Sequence, residues 1–199
     1  MEKNNLEKQH DLIGGQYQIS VLRDNFVPMI LEALGKVNTD KVWANTAKTS
    51  TVYRGKTVHV LDCIKACFSH IYDDSLPYIT MTATFFKDGT EDLAKDYLFA
   101  QDTVLQNDTK KSFHVLGRMS LFPFSTDNME TQASTIALLA DKRDVSLIPG
   151  QYADDFEGDV HNMFALVGDI LAYSNQHFEN YALNLSMTIY GPEAQNNEK

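Results

Sequence analysis

One succession of local patterns occurs twice in this chain, and such a repeat leaves few folds open to it. In the first half Tyr17-Gln-Ile-Ser-Val21 alternates apolar and polar residues, as a half-buried strand does. From Asn25 to Val37 the apolar residues Phe26, Ile30, Ala33, Leu34 and Val37 recur at helical spacing. Asp24 or Asn25 is the expected cap, and Pro28 falls in the first turn, where its missing N–H is not needed. Two short strands are predicted at Lys41–Asn45 and Thr49–Arg54, with Gly55 as a break. A second helix presents Val60, Ile64, Cys67, Phe68 and Ile71 on one face, and a long strand runs from Tyr78 to Phe85.

The second half repeats the order. Val115–Phe122 reads as a strand, a helix capped by Asp127 runs to about Asp141, and short strands fall at Asp144–Ile148 and Tyr152–Glu157. Gly158 is the expected break, a helix covers Val160–Ser174, and Tyr181–Ile189 closes the half. Gly55 and Gly158 lie 158 − 55 = 103 positions apart. Each half therefore reads β-α-β-β-α-β, the order of the ferredoxin-like unit, with antiparallel strands and both helices on one face. The expectation is an α+β tandem repeat: residues 14–88, a polar linker over 89–112 with one weak turn near Tyr97-Leu-Phe99, then residues 113–191.

Composition narrows the function. The 199 residues carry 17 Lys plus Arg against 27 Asp plus Glu, a formal charge of −10. Such a chain repels phosphate backbones, so nucleic acid is not the expected partner. No apolar run approaches the roughly 20 residues that span a bilayer, so no membrane insertion is expected. The N-terminal MEKNNLEKQHDL has no apolar core or cleavage site of a signal peptide. Two cysteines make no disulfide framework. A cytoplasmic protein is expected.

Sheet alternation predicts one face bearing Gln18, Ser20, Thr80, Thr82 and Thr84 in half one, and Arg118, Ser120, Asn184, Ser186 and Thr188 in half two. This face is simply wet, or holds a small polar ligand, or meets another sheet. Cys63 and Cys67 share a helix face, but no second pair completes a metal site, so both are expected in the core. His59 and His161 fall at comparable places at the start of the second helix of each half. Asp154, Asp155, Glu157 and Asp159 form an acidic cluster, matched in half one by Thr51, Val52, Arg54 and Lys56. No nucleophile elbow, phosphate loop or zinc motif is present, which favours a binding protein over an enzyme.

The strings Thr39-Asp-Lys-Val-Trp43, Ser50-Thr-Val-Tyr-Arg-Gly55 and His59-Val-Leu-Asp62 resemble the YkoF family of thiamine/hydroxymethylpyrimidine-binding proteins. Gln151-Tyr-Ala153, Gly158-Asp-Val-His161 and Phe164 extend the resemblance through the second half. The resemblance implies tandem ferredoxin-like repeats that dimerise and bind thiamine or hydroxymethylpyrimidine, up to one ligand per repeat, in vitamin precursor uptake or salvage. It implies no catalytic residue, no metal and no cofactor beyond that ligand, and at most transient contact with a transporter component. It places Thr51 on the ligand-contacting strand, with Asp154 as its counterpart. With the polar-face residues Gln18, Ser20, Thr82, Ser120 and Asn184, these seven are the candidate ligand contacts. Two other readings remain: an enzyme or carrier step on a thiamine-like compound using Asp154, Glu157 or His161, or a ligand-sensing regulatory and dimerisation module.

Overall fold

A computed structural model describes residues 11–87, 102–107, 109–124, 129–150 and 153–190, with the backbone alone for 129–132. The first half contains β1 (Leu12–Val21), α1 (Phe26–Gly35), β2 (Val42–Thr46), β3 (Thr51–Lys56), α2 (Thr57–Ile71) and β4 (Tyr78–Lys87). The second contains β5 (His114–Pro123), α3 (Met129–Lys142), β6 (Ser146–Ile148), β7 (Asp154–Asp159), α4 (Val160–His177) and β8 (Tyr181–Tyr190).

All eight strands form one antiparallel sheet in the order β2-β3-β1-β4-β8-β5-β7-β6. The seam at its centre joins β4 to β8 from Tyr78↔Tyr190 to Phe86↔Ala182. Alternation in the sequence places side chains on a face but does not identify a strand's neighbours, so two separate sheets were as compatible with it as one.

The helices cover one face. Tyr17, Val21, Ile79, Met81, Phe85, Leu183, Leu185 and Met187 point into that side and are buried, as their alternation predicts. Residues of both halves join a single core. Helix α2 lies deepest. Besides the predicted face, its Leu61, Asp62 and Ala66 are also buried. Three neighbours account for this: α1 and α4 pack beside it, and residues 102–107 cross over it. Asp62 Oδ2 accepts the backbone N–H of Gln106 at 3.0 Å and of Asn107 at 3.1 Å, and the Asn107 amide at 2.9 Å. Part of the stretch expected to be a bare linker is thus tied to the first half, while the turn expected at Tyr97-Leu-Phe99 lies outside the described residues.

Several local expectations change. Gly55 and Gly158 do not break their strands; both sit inside β3 and β7, opposite Ile13 and Val115. Strand and helix abut there without a loop, Lys56 running into Thr57 and Asp159 into Val160. A Cβ at Gly55 would meet the Lys41 carbonyl at 3.3 Å. Asn25 precedes α1 in the left-handed conformation (φ 56°) and makes no side-chain cap, a geometry asparagine tolerates better than most residues. In α4 the cap is Asp159, which accepts the His161 N–H at 2.7 Å. The cap expected at Asp127 lies outside the described residues. Cys63 and Cys67 are buried free thiols, as expected.

Candidate functional site

The uncovered sheet face carries the predicted polar residues in transverse rows. Register aligns Gln16, Thr84, Asn184 and Ser120 in one row, and Gln18, Thr82, Ser186, Arg118 and Asp155 in the next. A third row holds Ser20, Thr80, Thr188, Leu116 and Glu157. Much of this face satisfies itself. Thr84 donates to Asn184 Oδ1 at 3.0 Å, Thr80 to the Met187 carbonyl at 3.1 Å, and Arg118 binds Asp155 through two nitrogens at 2.6 and 3.2 Å.

A concave site lies elsewhere. Strand β1 pairs with β4 as far as Val21↔Ile79, but with β3 only as far as Tyr17↔Thr51. Residues 18–21 therefore leave one strand edge uncovered. Helix α1 runs beside that edge, and the turn between β2 and β3, held by Ala47 N–H donating to the Ser50 carbonyl at 2.9 Å, closes its end. The result is a cleft of about 320 Å³, at the lower end of the size range of small-molecule sites.

Its wall is aliphatic and aromatic: Phe26, Val27, Ile30, Leu31 and Leu34 of α1. Its floor is polar and neutral. Thr51 is 4% exposed, and its hydroxyl lies 3.1 Å from that of Thr46. Tyr17 donates to the Tyr53 hydroxyl at 3.2 Å. Burial drives the Tyr17 pKa upward and pushes the Cys67 thiol up to about 11, so both stay protonated at neutral pH. Gln16 reaches over to Ser50 at 3.1 Å. Lys48 is the sole charged side chain among the described lining residues, and it is exposed at the lip. Hydroxyls, a thiol and a strand edge beneath an apolar wall suit a flat, neutral ring with polar edges.

Of the seven sequence candidates, Thr51 lines the floor of this cleft, and Gln18 and Ser20, which register places on the open face, border it along the exposed edge of β1. Thr82, Asn184 and Ser120 lie on the open face across β4, β8 and β5, so the seven do not form one site. Asp154 holds the register position of Thr51, since Met119↔Asp154 ends the β5–β7 pairing as Tyr17↔Thr51 ends that of β1 with β3. Its Oδ1 accepts the Gly150 N–H at 3.1 Å. Sequence reasoning missed the α1 wall. Phe26 reads as part of the apolar stripe of α1, and Val27 and Leu31 fall outside that stripe, but exposures of 42%, 53% and 58% mark all three as bordering an opening.

The acidic cluster is dispersed by strand alternation. Asp154 is on the helix side, while Asp155 and Glu157 are on the open side with Arg118 and His114. Asp159 caps α4. His161 borders a different groove, between α2 and α4. The residues of the enzymatic reading, Asp154, Glu157 and His161, therefore do not converge. Nor are His59 and His161 equivalent. With Gly55 matching Gly158, His59 matches Asn162, and one residue on a helix turns a side chain by about 100°.

His59 is 2% exposed, with Nε2 3.1 Å from the Asp102 carbonyl. Burial, with Lys41 and Lys56 nearby, holds its pKa below 6.5 against the opposing pull of Asp102. The unfolded chain then binds the proton more readily, so stability from neutral His59 is present above about pH 6.5 and is lost as pH falls toward the depressed value. His70, lowered by burial, Lys36 and Lys111, acts in the same direction. Thermal melts between pH 7 and pH 5 should show a falling midpoint, and His59→Gln should flatten that slope. An unchanged slope in the variant would remove His59 from the account.

The fold and this cleft define an α+β protein whose first half carries a small, largely neutral cleft. The comparisons with known proteins carry this further. Residues 14–88 match the model of the YKOF-related family, and that segment contains every residue lining the cleft. The chain is also 24% identical over 197 residues, 94% of its own length and 95% of the relative's, to the Bacillus subtilis (strain 168) protein named "Putative HMP/thiamine-binding protein YkoF". The resemblance carried by the sequence strings is thus shown, and the name it leads to is that of a binding protein rather than an enzyme. Among solved structures, an aspartate kinase of Clostridium acetobutylicum aligns at 12% identity over 82% of this chain and 32% of its own, with a TM-score of 0.20, too low to carry an argument.

Proposed function

We propose that this protein binds the hydroxymethylpyrimidine moiety, free or as part of thiamine, in the cleft between β1, α1 and the β2–β3 turn. The observation that carries the reading is the early end of β1–β3 pairing at Thr51, inside the family-matched segment. It exposes a strand edge and a hydroxyl floor to an aromatic-bearing wall. A pyrimidine edge offers donors and acceptors to such a floor, and its ring faces can lie against Phe26 and Leu34.

The fuller form of the reading has two ferredoxin-like repeats, each with one site. It is supported by the common strand order on either side of the seam and by the matching registers of Thr51 and Asp154. In it the protein is a cytoplasmic homodimer, without enzymatic activity, that serves precursor uptake or salvage. Its open polar face is the surface available to a second sheet.

Isothermal titration with hydroxymethylpyrimidine and with thiamine tests the core of the proposal. Saturable heat with either ligand is expected, at one or two sites per chain, and each stoichiometry separates the single-cleft form from the two-site form. No heat and no thermal shift with both ligands would reject it. Light scattering at the same concentrations reads the dimer.

A further inference from the structure

Around the start of α2 the two halves carry opposite charge at matching positions. Stepping 103 residues from the first half to the second, Lys41 becomes Asp144, Arg54 becomes Glu157 and Lys56 becomes Asp159. The geometry supports the match: a Cβ on Gly55 would approach the Lys41 carbonyl, and one on Gly158 the Asp144 carbonyl. In the second half Asp159 caps its own helix. In the first half three side chains from three elements gather instead: Lys41 ahead of β2, Lys56 ending β3 and His59 in the first turn of α2.

What they gather around is one residue, Asp102: Lys41 and His59 face its carboxylate, and His59 and Lys56 reach its backbone carbonyl. The Asp102 carboxylate pairs with Lys41 Nζ, and lies 3.8 Å from His59 Nε2. Lys41 also donates to the Val104 carbonyl at 2.9 Å. Lys56 Nζ reaches the Asp102 carbonyl at 3.5 Å and the Asp11 carboxylate at 3.9 Å. The lysine side chains are only 19% and 20% exposed and His59 only 2%, whereas Asp102 is 48% exposed. The two lysines and the imidazole are held by the fold, and the carboxylate reaches in from a segment crossing the surface.

We propose that Lys41, Lys56 and His59 form a binding site for a phosphate-class oxyanion, and that the chain's own Asp102 occupies it as a tethered competitor. Two lysine ammoniums and an imidazole can serve several oxygens of one phosphate, whereas a carboxylate offers two. The site is separate from the cleft. Thr51 and Lys56 stand at opposite ends of β3, five residues or roughly 16 Å apart, so this inference does not rest on the ligand proposed for the cleft.

The test is titration of the full chain with inorganic phosphate at constant ionic strength, followed by the His59 ring resonances and phosphorus NMR. The wild-type His59 signals should move with phosphate and not with added chloride. Asp102→Asn should bind phosphate about tenfold more tightly, as expected if the competing contact is worth about 1.4 kcal/mol. Adding Lys41→Gln and Lys56→Gln should abolish that gain. A silent His59 in the wild type would overturn the proposal without any variant. It would also fall if Asp102→Asn gave no gain or the gain survived loss of both lysines. Acetate binding as well as phosphate would show only a seat for the chain's own carboxylate, and would equally overturn it.

Discussion

Replacing Thr51 by valine should weaken ligand binding in the first-half cleft by roughly 5- to 150-fold, with little change in the fold. Valine keeps the shape of threonine and removes one hydroxyl. That hydroxyl is buried on the cleft floor and shares its hydrogen bond with Thr46 at 3.1 Å. A ligand edge that loses a partner in a site shielded from water forfeits about 1–3 kcal/mol, which is the stated range in affinity. Thr82→Val is the companion measurement. Thr82 is exposed on the open face, in register with Gln18 and Ser186, and its loss should leave the titration unchanged. Titration of the two variants therefore chooses between the cleft and the polar sheet face. A loss with Thr82→Val and none with Thr51→Val would move the site to the open face. If a second site exists around Asp154, it should keep its affinity in Thr51→Val.

The sequence made the elements legible but not the partners they would find. Period-two alternation in Tyr17–Val21 and Tyr78–Phe85 put the right residues in the core, because that pattern depends only on which side of a strand is wet. Helical spacing located α1 and α2 for the same reason. The seam between β4 and β8 left no such trace, since a strand's own pattern reads the same whichever strand lies beside it. The cleft was half legible. Thr51, Gln18 and Ser20 emerged from the sequence, Thr51 through the family strings and the others through alternation. What makes them a site is that β3 pairing stops at Tyr17 while β1 continues. Pairing length is decided by where α1 and the β2–β3 turn settle, and no local pattern encodes it. The charge difference between Arg54 and Glu157 could be read by simple offset. Its consequence at Lys41 and Asp102 required the fold, because those two residues are 61 positions apart.

Truncating Phe85 to alanine should give the largest stability loss of any substitution considered, about 3–5 kcal/mol. Phe85 is fully buried on β4, opposite Gly15 on one side and Leu183 on the other. The space over Gly15 is filled by Phe85, Ile64 and Val60, whose atoms lie 3.0–3.2 Å from where a Cβ would stand. None of the three can move far into a vacated volume, because Ile64 and Val60 are themselves fully buried on α2. At this chain length each kcal/mol lowers the melting midpoint by about 2–4 °C, so a fall of roughly 6–20 °C is expected. The manner of unfolding carries more information than its size. Strand β4 is bonded along its length to β8, and the core draws side chains from both halves without a break. The first half therefore should not melt alone. Calorimetry of Phe85→Ala should show a single transition shifted to lower temperature, with the second half lost at the same point. Two resolved transitions, the later one at the wild-type midpoint, would show that the seam joins the sheets without coupling their stabilities. The ligand experiment has a matching expectation: a molecule bound in the first-half cleft should raise the midpoint of the whole chain.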